Sequence, residues 1–119
     1  FAIITDLGYG SKNLIGSLSN VKSLVLEANH DQEMLNQSEY PESLKIRIGG
    51  RYGHLSNHEA AKILKEINAE GFKFIGAAHL SDKNNHPDIV KKILGDAIGK
   101  ESSFVKIISQ DHGIDWVTV

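Results

Sequence analysis

Four short segments collect the residue types that metal and proton-transfer chemistry use. They are "ITDLG" with Asp6, "VLEANHD" with Glu27, His30 and Asp31, "YGHLSN" with His54, and "GAAHLSD" with His79. An aspartate oxygen and an imidazole nitrogen together suit zinc or a harder divalent ion, so Asp6 and His79 are candidate metal ligands. A glutamate bonded to a histidine fixes the tautomer and supports proton transfer, which makes Glu27 and His54 a candidate acid/base pair. Each residue alone has a plainer reading. Asp6 before Leu-Gly is a turn former. Glu27 in an apolar run needs only an arginine or backbone amides as partner. His30 and Asp31 read as a helix start with Asp31 or Asn29 as cap, and His54 and His79 read as loop histidines satisfied by backbone. His58 and His86 read as solvent-facing and His112 as a turn residue. The combination and order of the four segments favour the chemical reading over the plain ones.

What places these groups is a series of short apolar runs, each ending in polar residues. Layered α/β folds bind ligands beyond the ends of their strands, so such ends are where a site forms. The runs predict strands at Phe1–Thr5, Ser23–Ala28, Phe72–Ala78 and Phe104–Ile108, with a short terminal strand at Asp115–Val119. Ser11 caps a short helix carrying Leu14, Ile15 and Leu18, and a second short helix carries Met34 and Leu35. Pro41 and the Gly49-Gly50 pair break the long connection that follows, leaving a turn or two over Leu44–Ile48. Ser56 with Glu59 three residues on predicts a capping box. It opens a helix with the stripe Ala60, Ala61, Ile63, Leu64 and Ile67, stopped by Gly71. Pro87 opens another, with Ile89, Val90, Ile93, Leu94, Ala97 and Ile98 inward and Gly99 at its end. Strands alternating with amphipathic helices predict an α/β layered fold.

Composition limits the classes of function. At 119 residues the chain builds one ordinary domain, and 40% hydrophobic with 24% charged residues is globular usage. A net charge of -2 gives no global footprint for nucleic acid, although a local basic patch is compatible with it. The absence of cysteine excludes disulfides and thiolate metal sites and fits a reducing cytoplasm. No segment has the roughly 20 apolar residues of a membrane span, and none has the form of a signal peptide. The expectation is a cytoplasmic protein with no membrane partner. The chain opens on Phe1 inside an apolar run, which reads as a fragment beginning within a strand.

The segments "FAIITDLGYGS", "LVLEANHDQEML", "YGHLSNHEAAKIL" and "GAAHLSDKNNHPDIV" occur in that order across nearly the whole chain. Together they resemble the second half of the metallo-β-lactamase-fold phosphodiesterases of the WalJ/YycJ type, relatives of the tRNA 3′-processing ribonuclease Z enzymes. The resemblance implies the C-terminal half of a four-layer αββα sandwich, one sheet with its flanking helices. Residues 1–119 would be half of a single domain, since the family's His-x-His-x-Asp-His motif does not occur in them. By the same resemblance Asp6 bridges two divalent ions, zinc or manganese, and His79 is the last ligand of the second. His54 protonates the leaving group, Glu27 orients His54, and His30 and Asp31 of the "NHD" signature lie near the substrate. Two metals supply a hydroxide and clamp a phosphodiester, while a histidine protonates the departing oxygen.

The implied activity is a metal-dependent nuclease, a DNA exonuclease favoured over an RNA enzyme. This chain alone is expected to be inactive, to lack its N-terminal half as partner, and to present an open sheet face that invites self-association. Two other readings stand beside it: a hydrolase of small esters or thioesters on the same fold, and a non-catalytic α/β interaction module.

Overall fold

The computed structural model describes residues 1–118. Its centre is one parallel sheet of four strands, β1 (Ala2–Ile4), β2 (Ser23–Glu27), β3 (Phe74–Ala78) and β4 (Val105–Ile108), in the order β1-β2-β3-β4. Ile4 stands opposite Leu26, and Glu27 opposite Ala78, which in turn faces Ile108. The strand ends are therefore level, and the loops that leave them meet along one edge.

Helices follow each of the first three strands. Ser11 caps α1 (Lys12–Ser17) and Asp31 caps α2 (Gln32–Gln37), each accepting a backbone N–H with its side chain. The stretch after Pro41 is α3 (Glu42–Gly49), longer than the turn or two expected. In α4 (Asn57–Glu66) the Ser56 hydroxyl accepts from the Glu59 N–H at 3.2 Å, the serine half of the capping box. Gly71 is not its stop. The helix ends at Glu66 with Ile67 as its C-cap, and Asn68 takes a left-handed φ of 52° before a single 3-10 turn at Ala69–Gly71. Pro87 opens α5 (Pro87–Ala97) as expected, capped by the His86 imidazole, and Gly99 supplies the positive φ of 64° just beyond.

Two faces of the sheet differ sharply. Leu24, Leu26, Ile75, Ala77 and Val105 form one core with Ala60, Ile63 and Leu64 of α4 and Val90 and Leu94 of α5. Opposite, Val25, Phe74 and Ala78 cluster with Ile108, and among the described residues no helix residue joins them. Ile3 shares this face in register with Val25 and is 62% exposed. Gly76 has no side chain here because Ile108 and Phe74 close over it, an added Cβ falling 2.7 Å from Ile108 Cδ1.

The terminal strand expected at Asp115–Val119 does not form over its described residues. An antiparallel bridge from Ser109 to Gly113 turns the chain at the end of β4, and residues 114–118 are irregular. Alternating apolar residues are not enough there, because a strand needs a neighbour to take its backbone hydrogen bonds. Val119 lies outside the described residues. No helix of the described residues is long and apolar enough to cross a membrane.

Candidate functional site

The four sequence segments converge at the carboxyl ends of the strands. Asp6 follows β1, Glu27 ends β2, His79 follows β3, and His54 precedes α4. One ligand atom from each of Asp6, His54 and His79 lies within 4.8 Å of the others. By strand alternation Glu27 projects on the Val25 side, so the open face of the sheet runs into the site.

Glu27 organises the cluster. Its carboxylate is wholly buried, and three N–H groups converge on it: His54 Nδ1 at 2.6 Å and His79 Nδ1 at 3.0 Å on Oε1, and the Leu7 backbone N–H at 2.9 Å on Oε2. Only the His54 bond was expected from the sequence. A neutral ring that donates from Nδ1 carries its lone pair at Nε2, on the opposite ring edge. The rings stand edge to face with centroids 5.1 Å apart, each about one-third exposed. Asp6 Oδ1 is 3.8 Å from His79 Nδ1, and its side chain is 72% exposed. This donor set, carboxylate oxygen with imidazole nitrogen, fits a divalent ion.

Backbone geometry adds a second layer. Asp6 and His79 are both held at positive φ, 57° and 61°. Such conformations are unfavourable for residues with a Cβ and persist where the surroundings over-determine them. For His79 that surrounding is Asn29, whose Nδ2 donates to the His79 carbonyl at 2.9 Å. The same residue donates its N–H to Leu55 O and accepts from Ser81 N–H, linking the loops of both histidines. Below it, Asn57 and Asn85 form a reciprocal amide pair at 2.8 and 2.9 Å, and Asn85 also donates to Ala28 O. The sequence reading offered Asn29 only as a helix cap and gave Asn57 and Asn85 no role. Their signal is an Asn-His dipeptide that recurs three times, at residues 29, 57 and 85.

His30 and Asp31 follow Asn29 in the same loop. The His30 ring has no exposed surface, and its Nε2 is buried without a partner. Burial pushes its pKa below the ordinary 6.5, with the nearby His54 acting in the same direction and Glu27 and Asp31 opposing. Asp31 Oδ1 is occupied by the Met34 N–H as the cap of α2. Both side chains are therefore held by the fold itself, His30 enclosed and Asp31 engaged as a helix cap.

Comparison with known proteins matches the sequence to named relatives. The chain is 33% identical over 114 residues to the exodeoxyribonuclease YycJ of Bacillus anthracis, covering 96% of this chain and 43% of the relative. It is a WalJ/YycJ-type relative. The exodeoxyribonuclease WalJ of Streptococcus pneumoniae is 39% identical over 85 residues, 71% of this chain and 32% of that protein. The chain thus spans less than half the length of the WalJ/YycJ proteins it matches. No family model and no solved structure matches it.

Proposed function

We propose that this chain is the C-terminal half of a metallo-β-lactamase-type sandwich whose complete form hydrolyses phosphodiester bonds in DNA, as an exonuclease. The observation that carries the proposal is the single Glu27 oxygen that takes Nδ1 of both His54 and His79 beside Asp6. Sharing one carboxylate between a ligand histidine and a proton-donating histidine ties the ion's position to the donor's. The names of the relatives support a nuclease, and their greater length supports a second half that completes the site.

In this reading Asp6 and His79, the latter through Nε2, hold divalent ions together with ligands from the N-terminal half. When bound, the ions supply a hydroxide and neutralise the charge of the scissile phosphate. His54, in its doubly protonated form, gives the Nε2 proton to the leaving oxygen while its Nδ1–H stays on Glu27. Glu27 keeps both rings in one orientation, and Asn29 keeps the His79 backbone in its left-handed conformation. The N-terminal half covers the apolar face around Ile3, Val25 and Phe74. Without it the chain is inactive and self-associates through that face.

The test is to assay the complete protein on DNA and RNA strands with defined ends, with and without a chelator. Metal-dependent release of nucleotides from DNA ends is expected. A complete protein that is loaded with metal and leaves every strand intact overturns the proposal.

A further inference from the structure

A cleft leads away from the acid/base groups into a region with no assigned role. Asp6 and His54 line one end of it, and Leu44, Arg47, Ile48 and Tyr52 line the rest. The Tyr52 side chain is 96% exposed although it stands two residues before His54.

A surface tyrosine alone means little, but the backbone turn that carries this one is tied down on both sides. Gly53 donates its N–H to Gly50 O at 2.9 Å, and His54 donates to Ile48 O at 2.9 Å, folding residues 50–54 back on the end of α3. A Cβ on Gly53 would overlap the carbonyl oxygens of Ile48 and Arg47, so the turn packs there without a gap. The loop after Asp6 is locked to the same turn. Gly8 sits directly on the Arg51 carbonyl. The Arg51 guanidinium lies 4.3 Å over the Tyr9 ring and donates to Tyr9 Oη at 2.8 Å. Arg51 is thereby engaged. Arg47, exposed on the last turn of α3, takes part in none of the ion pairs among the described residues.

The cleft therefore joins a candidate hydrolytic centre to an uncommitted cation and an uncommitted aromatic face. Those are the groups that bind unpaired nucleotides, a cation on the phosphate and an aromatic ring on the base. Resting on the nuclease reading, we propose that Arg47 and Tyr52 form a subsite for the nucleotide flanking the scissile phosphate of a single-stranded end. Arg47 takes a phosphate and Tyr52 stacks on the base. Stacking on one ring tolerates any base, and a base in a duplex is not free to accept it.

The test is equilibrium binding by the complete protein in chelator, so that no turnover is needed. The probes are a 5′-labelled oligothymidylate and an equally long abasic deoxyribose-phosphate strand, read by fluorescence anisotropy. The wild type should prefer the base-bearing strand about 5- to 150-fold, the range one stacked base provides. That preference should collapse in Tyr52→Ala and survive in Tyr52→Phe. Arg47→Ala should weaken both strands together and lower the salt dependence by about one counterion. An undiminished preference in Tyr52→Ala overturns the subsite, even if the protein degrades DNA. A Tyr52-dependent preference in a protein that cleaves nothing upholds the subsite and overturns the hydrolase reading.

Discussion

Glu27→Gln is the most informative single change, because it keeps the volume of the side chain and removes only its charge and one acceptor. Three N–H groups point at this carboxylate, which has no exposed surface. Glutamine retains one carbonyl oxygen, so its NH2 must face either Leu7 N–H or the two imidazole N–H groups. Hydrogen bonds to a charged group contribute about 1.5–3 kcal/mol each. Losing one and weakening the others costs about 2–4 kcal/mol. With a urea dependence of about 1.5 kcal/mol per molar, the midpoint of unfolding falls by roughly 2 M. The histidines can relieve part of this by moving their protons to Nε2 and accepting at Nδ1, but that removes the lone pairs a metal needs. Stability recovered in this way is therefore lost from metal binding, and affinity for zinc or manganese should fall about 10- to 100-fold. Urea unfolding and metal titration by calorimetry, run on one preparation, read both effects. A midpoint within about 0.3 M of wild type together with unchanged metal affinity would refute the role given to Glu27.

The Asn57–Asn85 pair should behave as one unit. Either alanine substitution leaves a buried amide unpaired at about 1–3 kcal/mol, and the double variant should cost clearly less than the sum of the two; simple additivity in a double-mutant cycle would show that the pair does not couple. Gly53→Ala should cost about 3 kcal/mol or more and lower metal affinity, since the turn cannot accept a Cβ and His54 follows it directly; a stable variant with native affinity would contradict the packing described. His30 gives a pH dependence whose sign follows from burial. Its folded pKa lies below 6.5, so between those values the unfolded chain binds the proton more readily, and stability falls as pH drops from 6.5 toward the folded value. Denaturation followed from about pH 7.5 to about pH 5 should show a shallower loss in His30→Leu than in wild type; parallel curves would assign the dependence to other groups.

Where hydrophobic period decided the local structure, the sequence was readable. The stripes of α4 and α5, the serine and proline that open them, and the apolar runs of β2 and β3 all lie where expected, because each pattern matches only one regular element. Boundaries shifted where the deciding contact was not local. Asn68 rather than Gly71 ends the α4 region, and the tail after Gly113 stays irregular for want of a neighbouring strand. At the site, residue type and order brought Asp6, Glu27, His54 and His79 to attention. The second bond of Glu27 and the left-handed φ of His79 are products of three loops meeting, which no single segment encodes. His30 shows the converse case. A polar residue in a polar signature is enclosed because its loop carries the backbone bonds that tie Asn57 and Asn84 to it.

The central claim is a division of labour within one cluster, ligands on one side and a proton donor on the other. It is tested most directly by measuring metal content and DNA-end hydrolysis together in the complete protein with Asp6→Ala, His79→Ala and His54→Ala. The account predicts that the first two lose both metal and activity, while His54→Ala keeps its metal and loses turnover by about 100-fold or more. Unchanged turnover in His54→Ala, or full metal occupancy in Asp6→Ala and His79→Ala, would contradict it.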